Sequence, residues 1–342
     1  MKKLHLLMSL LLFFTINQNF AYTKEVKAVV EEIPNYIFHL LTVGGIVADD
    51  PDYITLYGES ISRENKNYLY DHKELLAWAD GNTAPLIPFF LFIPANFTSQ
   101  NEMNEYFDEL NNALKNNQCK AFVQKYESCF KKENWMSDTT DMAEMELCLQ
   151  SIIPYIHEVA EIGKIFKNNF QTYHATIWET EKEKLEQKAK IINNELPKYD
   201  FIAQWETLTG LKFQSHKFEV VLYSANKNGP GANSLSYDRD AFYYALSNTE
   251  DLLQFICHEV GTHILINSLI AIMKMDRFEF QDIYTSYENT AEFYTANHIL
   301  KREPIIGYDV EKYCQMLGEI YKANPKISPT ELMIRGIEEY NE

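Results

Sequence analysis

The segment Cys257-His258-Glu259-Val260-Gly261-Thr262-His263 places two imidazoles and a carboxylate within one short stretch. Neutral imidazole nitrogen and carboxylate oxygen are donors that zinc accepts, and a catalytic zinc site uses three protein ligands with the fourth position left for water. Two histidines do not complete that set. Downstream, Tyr287-Glu288-Asn289-Thr290-Ala291-Glu292 supplies what is missing. Glu288 is the candidate third ligand. Glu292, four residues on and on the same helical face, is placed to hold a ligand imidazole by its distal N–H. Glu259, directly after the first histidine, points beside a metal rather than at it, where a general base for water attack belongs. Ala291 is small enough to let two helices approach.

The spacing is His-Glu-x-x-x-His, one residue longer than the familiar His-Glu-x-x-His. At about 100° per residue, a spacing of four leaves two rings about 40° apart on a helix, whereas five sets them about 140° apart. Shared chelation therefore predicts a π-bulge or local unwinding near Gly261, where glycine lowers the cost.

The positioning elements follow from the surrounding pattern. Ser247-Asn-Thr-Glu250 reads as a capping box, and Leu252, Leu253, Phe255, Ile256, Ile264 and Leu265 form the apolar face of the helix it opens. A second helix carries Glu288 and runs to Lys301-Arg302 before Pro304. Upstream, Phe218 to Tyr223 is a β-type run, followed by a turn-rich loop and an aromatic run from Tyr237 to Leu246, which together suggest a small antiparallel sheet. The stretch from about Gly231 to Tyr237 is placed to pair with an extended substrate backbone. Residues from Tyr22 to Leu196 read as successive helices. The clearest begins near Pro154 and carries an apolar stripe from Val159 to Leu196, the mark of a scaffold helix packed on its own chain. The run Pro85 to Pro94 is too short and proline-bounded to span a bilayer and reads as buried core. The expected fold is mainly α with a small antiparallel β-sheet: a helical part over 22–200 and a catalytic part over 201–342.

His258-Glu-Val-Gly-Thr-His263, followed by Ile264-Leu265, resembles the His-Glu-Ile-Gly-Thr-His segment of the His-Glu-x-x-x-His metallopeptidases. That group contains microtubule tyrosine carboxypeptidases and bacterial proteins with a Gln-Glu-Gly-Leu-Ala motif. Tyr287-Glu288-Asn289-Thr290-Ala291 stands where that motif stands in the relatives. The resemblance covers about residues 215–302. It implies a zincin-type fold related to the gluzincins, Zn2+ held by His258, His263 and Glu288, and Glu259 as base. Asn289-Thr290 replaces Gly-Leu, and Ile266 stands where an Arg often follows, so the resemblance does not extend to tyrosine carboxypeptidase activity.

Composition narrows the partners. With 31 Lys and Arg against 49 Asp and Glu, the formal net charge is −18, a field that repels nucleic acid. A peptide or protein substrate is the expected partner. Lys2-Lys3, the apolar stretch Leu4 to Phe14 and a polar segment ending at Ala21 form a secretory leader over 1–21, too short for a bilayer span, so export is expected with no further membrane segment. Five cysteines lack metal-ligand spacing; the three from Cys119 to Cys148 are the expected source of one disulfide, and Cys257 of a free core thiol. Tyr237, Tyr284 and Tyr287 are open candidates for stabilising an oxyanion. Two rivals to a peptidase remain: a catalytically inactive zinc-site protein acting as a binding module, and a helical scaffold with an accidental motif.

Overall fold

The structure, a computed structural model, describes residues 24–46, 50–79, 82–133, 142–227, 231–245 and 248–340. The leader expected at 1–21 lies outside them. The sheet is built around Lys217–Tyr223 (here β2, with Glu25–Val29 as β1, Ala232–Ser236 as β3 and Arg239–Tyr243 as β4). Val220, Val221, Leu222 and Tyr223 are all fully buried, so both faces of β2 are covered, as in a central strand.

The order is β1-β2-β4-β3. The sheet is mixed, which corrects the antiparallel sheet expected from the sequence. β1 and β4 both run parallel to β2, with Val29 opposite Val221 and Val220 opposite Asp240; only β3 is antiparallel, to β4. The loop after Tyr223 carries the chain past the neighbouring position, so β3 takes the outer place. The turn at Tyr237-Asp238 then brings β4 in beside β2. The strand β1 also falls in a region read as helical. Parallel neighbours need a long crossover, and here residues 30–216 form it. The expected division at 200/201 falls between two helices, and the sheet and the buried core run across it.

The helices that matter here are Glu32–Val43 (α1), Ile156–Tyr173 (α2), Glu179–Glu195 (α3), Phe201–Thr209 (α4), Thr249–Met273 (α5) and Phe280–Phe293 (α6). α2 and α3 continue through the π-helical turn His174–Trp178, and the stripe from Val159 to Leu196 is buried within this chain. Phe89, Phe90, Leu91 and Phe92 of the proline-bounded run are buried as well. Two amides tie helices to the sheet. Asn35 of α1 donates to the Leu222 carbonyl (2.9 Å) and accepts from the Ser224 N–H. Asn193 of α3 exchanges both of its hydrogen bonds with the backbone of Ala28, each 2.8 Å, and so closes the outer edge of β1.

α5 opens on Asn248, whose side chain accepts from Asp251 N–H (2.9 Å), so Asn248 rather than Ser247 is the cap. The helix is long and apolar enough to cross a membrane, yet most of it is buried inside the protein. α6 continues as a π-helical stretch, Tyr294–Leu300, and ends on Lys301 in the left-handed region before Pro304. Cys257, inside α5, is a free, fully buried thiol whose pKa burial pushes up to about 12. Cys119 is also a free buried thiol, so it forms no part of the disulfide expected in its cluster.

His39 of α1 gives the fold an acid sensitivity. It is buried, with Nδ1 3.0 Å from the Tyr53 hydroxyl and Nε2 2.9 Å from Ser60 Oγ, and burial lowers its pKa from 6.5 to about 3. Between those values the unfolded chain binds a proton that the folded chain refuses, so stability falls as pH drops from 6.5 through 3. The slope is up to about 1.4 kcal/mol per pH unit. In urea unfolding followed across this window, His39→Gln is expected to show a shallower acid slope than wild type; an unchanged slope would assign the sensitivity to other groups.

Candidate metal centre

α5 carries the motif, α6 faces it from one side and β4 from the other. Thr249 to Met273 is one uninterrupted α-helix, with no bulge at Gly261, and this corrects the expected distortion. Gly261 serves packing instead. A Cβ there would lie 1.9 Å from Trp205 Cζ2, and the Trp205 ring, fully buried on α4, donates its Nε1–H to the Cys257 carbonyl (2.9 Å). The indole therefore rests directly on the helix backbone. Gly261→Ala is expected to cost about 3 kcal/mol, because the added methyl group would overlap the buried indole. A denaturant midpoint within error of wild type would contradict this packing.

His258 faces α6. Its Nδ1 stands 3.2 Å from Glu292 Oε2 and its Nε2 3.0 Å from Glu288 Oε2. Glu292 is fully buried and accepts two further hydrogen bonds at Oε1, from Gln254 Nε2 (2.6 Å) and from the Ile305 N–H (2.8 Å). It thus holds the ring rigidly, as an orienting carboxylate does. Burial works against protonation of His258, but the Glu288 and Glu292 carboxylates outweigh it and raise the pKa to about 10. Ala291, fully buried, lies between Thr290 and Glu292 where α6 packs on α5.

His263 faces the sheet. Its Nδ1 donates to the Tyr237 carbonyl (2.6 Å), and its Nε2 lies 3.2 Å from Asp240 Oδ1. Burial opposes its protonation too, and Asp240 and the Tyr237 carbonyl outweigh that effect. Glu259 is partly buried, with its carboxyl close to both Asp240 and His263. Its pKa is raised to about 8 by burial and then by Asp240, with Glu288 adding to the rise and both imidazoles opposing it.

Each imidazole is therefore anchored through Nδ1 and presents Nε2 to a carboxylate. The three expected ligands do not gather around one point, however. On a regular helix, residues five apart diverge by about 140°, so His258 turns to α6 and His263 to β4. Among the described residues, the donors that stand within 4.8 Å of one another are those of Asp240, Glu259 and His263. The four-residue spacing that shares a helix face is Glu259 to His263, a signal present in the sequence. Asp240 belongs to no motif, and only the parallel placement of β4 brings it there.

The three tyrosines separate. Tyr287 is buried and donates its hydroxyl to the Thr262 carbonyl (2.6 Å), and the Tyr237 hydroxyl accepts from the Gln214 N–H (2.9 Å). Tyr284 is 39% exposed and hydrogen-bonded to Glu288, whose charge and then burial hold the phenol pKa well above its usual value. With Glu288 at 20% side-chain exposure, this pair forms the solvent-facing side of the cluster. The expected substrate edge, β3, is an edge strand, but Asn96 already donates to its Leu235 carbonyl (3.1 Å).

The donor chemistry fits a divalent cation. Four carboxylates, Asp240, Glu259, Glu288 and Glu292, surround two imidazoles, and among the described residues no Lys or Arg pairs with any of them. Asp240 is buried, with Oδ2 lacking a hydrogen bond and Oδ1 facing His263 Nε2 alone. Protonated imidazoles can balance these carboxylates in the metal-free chain, and a divalent cation would take over that counter-charge where both rings act as neutral ligands. Neither protein-family models, nor curated proteins, nor solved structures give a match to this chain.

Proposed function

We propose that this chain is an exported zinc-dependent peptidase that hydrolyses peptide bonds with Glu259 as general base. One observation carries the reading: two buried imidazoles, each fixed through Nδ1 by an acceptor and each turning Nε2 to a carboxylate, stand on either side of Glu259. Metal-binding histidines are oriented in this way. In this reading His258, His263 and Glu288 hold the ion, Glu292 and the Tyr237 carbonyl orient the rings, and bringing both rings to one ion costs the regular turn at Gly261.

A bound zinc ion would supply Lewis-acid polarisation of the scissile carbonyl and acidify water. The protein's own residues do the rest. Glu259 takes the proton of the attacking water and passes it to the leaving nitrogen, a task for a carboxylate that a neighbouring cation would keep ionised. Tyr284, on the solvent-facing side, is the one of the three tyrosines whose hydroxyl faces a ligand carboxylate. The test is cleavage of a peptide library by the purified full chain. Cleavage that a chelator abolishes and zinc restores is expected; a chain that holds metal and cleaves nothing is instead a binding module.

A further inference from the structure

The regular helix places Glu259 and His263 on one face, four residues apart, and turns that face to Asp240 on β4. Asp240 is 0% exposed; Oδ2 receives no hydrogen bond, and Oδ1 faces only His263 Nε2. Its sequence neighbour Arg239 offers no relief. Strand alternation sends that side chain to the other face, where it pairs with Glu31 and Glu219. A bare buried carboxylate aimed at an imidazole Nε2 3.2 Å away is the spacing of two donors on one cation. The imidazole is pre-set for that role by its bond to the Tyr237 carbonyl.

We propose that Asp240 is a direct ligand of the cation, sharing it with His263, with Glu259 beside them. This rests on the metal reading above and adds to it a ligand from the sheet that lies outside the helical motif, so that an ion keeping its water would be five-coordinate. The donor pair is assembled without any change in α5. A mixed oxygen and nitrogen set also widens the choice of ion, since carboxylates suit manganese and imidazole suits zinc and iron.

Cobalt(II) reports the assignment directly. Metal-stripped full chain is titrated with Co2+ and with Zn2+ for wild type, Asp240→Asn and Asp240→Cys, with folding followed by circular dichroism. If residue 240 is a ligand, Asp240→Asn lowers affinity by more than about 100-fold, beyond the 10–100-fold that loss of an orienting partner produces. The Co2+ visible spectrum changes with it. Asp240→Cys gains a sulfur-to-cobalt charge-transfer band that wild type lacks, a readout that survives even if the Asn variant folds poorly. An Asn variant that binds within 100-fold of wild type with the same spectrum, or a Cys variant that holds one Co2+ per chain without the band, overturns the proposal and leaves Asp240 as a structural partner of His263. The peptidase reading fails separately, if wild type binds Co2+ or Zn2+ and cleaves no peptide.

Discussion

Glu259→Gln is expected to lower peptide hydrolysis by about 10²-fold or more while zinc content and thermal stability stay near wild type. The amide keeps the shape of the side chain and cannot take a proton from water. Glu259 shares its surroundings with Asp240, whose charge, after burial itself, does most to raise its pKa. Burial and Asp240 already hold the metal-free carboxyl largely in its neutral form, so the neutral amide leaves folding stability near wild type. The histidines and Glu288 are untouched, so the ion should remain. Hydrolysis that survives the substitution would remove Glu259 from the base role, and zinc lost along with activity would make it a ligand.

The second large effect separates two carboxylates on one helix face. Glu288→Ala is expected to lose zinc and activity together, with folding stability falling no further than that of chelated wild type, because Glu288 is partly exposed. Glu292→Ala is expected to cost about 3–5 kcal/mol of folding stability as well as about 10–100-fold in metal affinity. Glu292 is fully buried, and its removal strands three donors at once: the Gln254 amide, the Ile305 N–H and His258 Nδ1. Zinc content measured beside chemical denaturation distinguishes them. A Glu288→Ala chain with a full zinc complement, or a Glu292→Ala chain as stable as wild type, would contradict these assignments.

Much of this was legible from local pattern. The apolar periodicity and caps around Leu252 to Leu265 placed α5, and the breaker at Pro304 bounded the helix that carries Glu288 and Glu292. The four-residue step between those two glutamates puts both on one face, which is how both reach His258. What escaped was decided at a distance. β1 pairs with a strand almost two hundred residues later, and no local signal announces that partner. Asp240 is an ordinary acidic residue in an aromatic run until β4 inserts between β2 and β3. At Gly261 the five-residue spacing suggested a distorted turn, but the missing side chain is used by Trp205, which keeps the helix regular and lets the two histidines diverge.

The peptidase reading requires a divalent cation in the buried, acid-rich cluster around His258 and His263. Elemental analysis of the purified full chain, paired with thermal melting before and after chelation, tests it most directly. About one zinc per chain is expected, with a melting temperature that falls on chelation and recovers when zinc is returned, since an ion bound only by the folded state stabilises it. A chain that purifies without metal and melts identically with chelator and with added zinc would contradict the account.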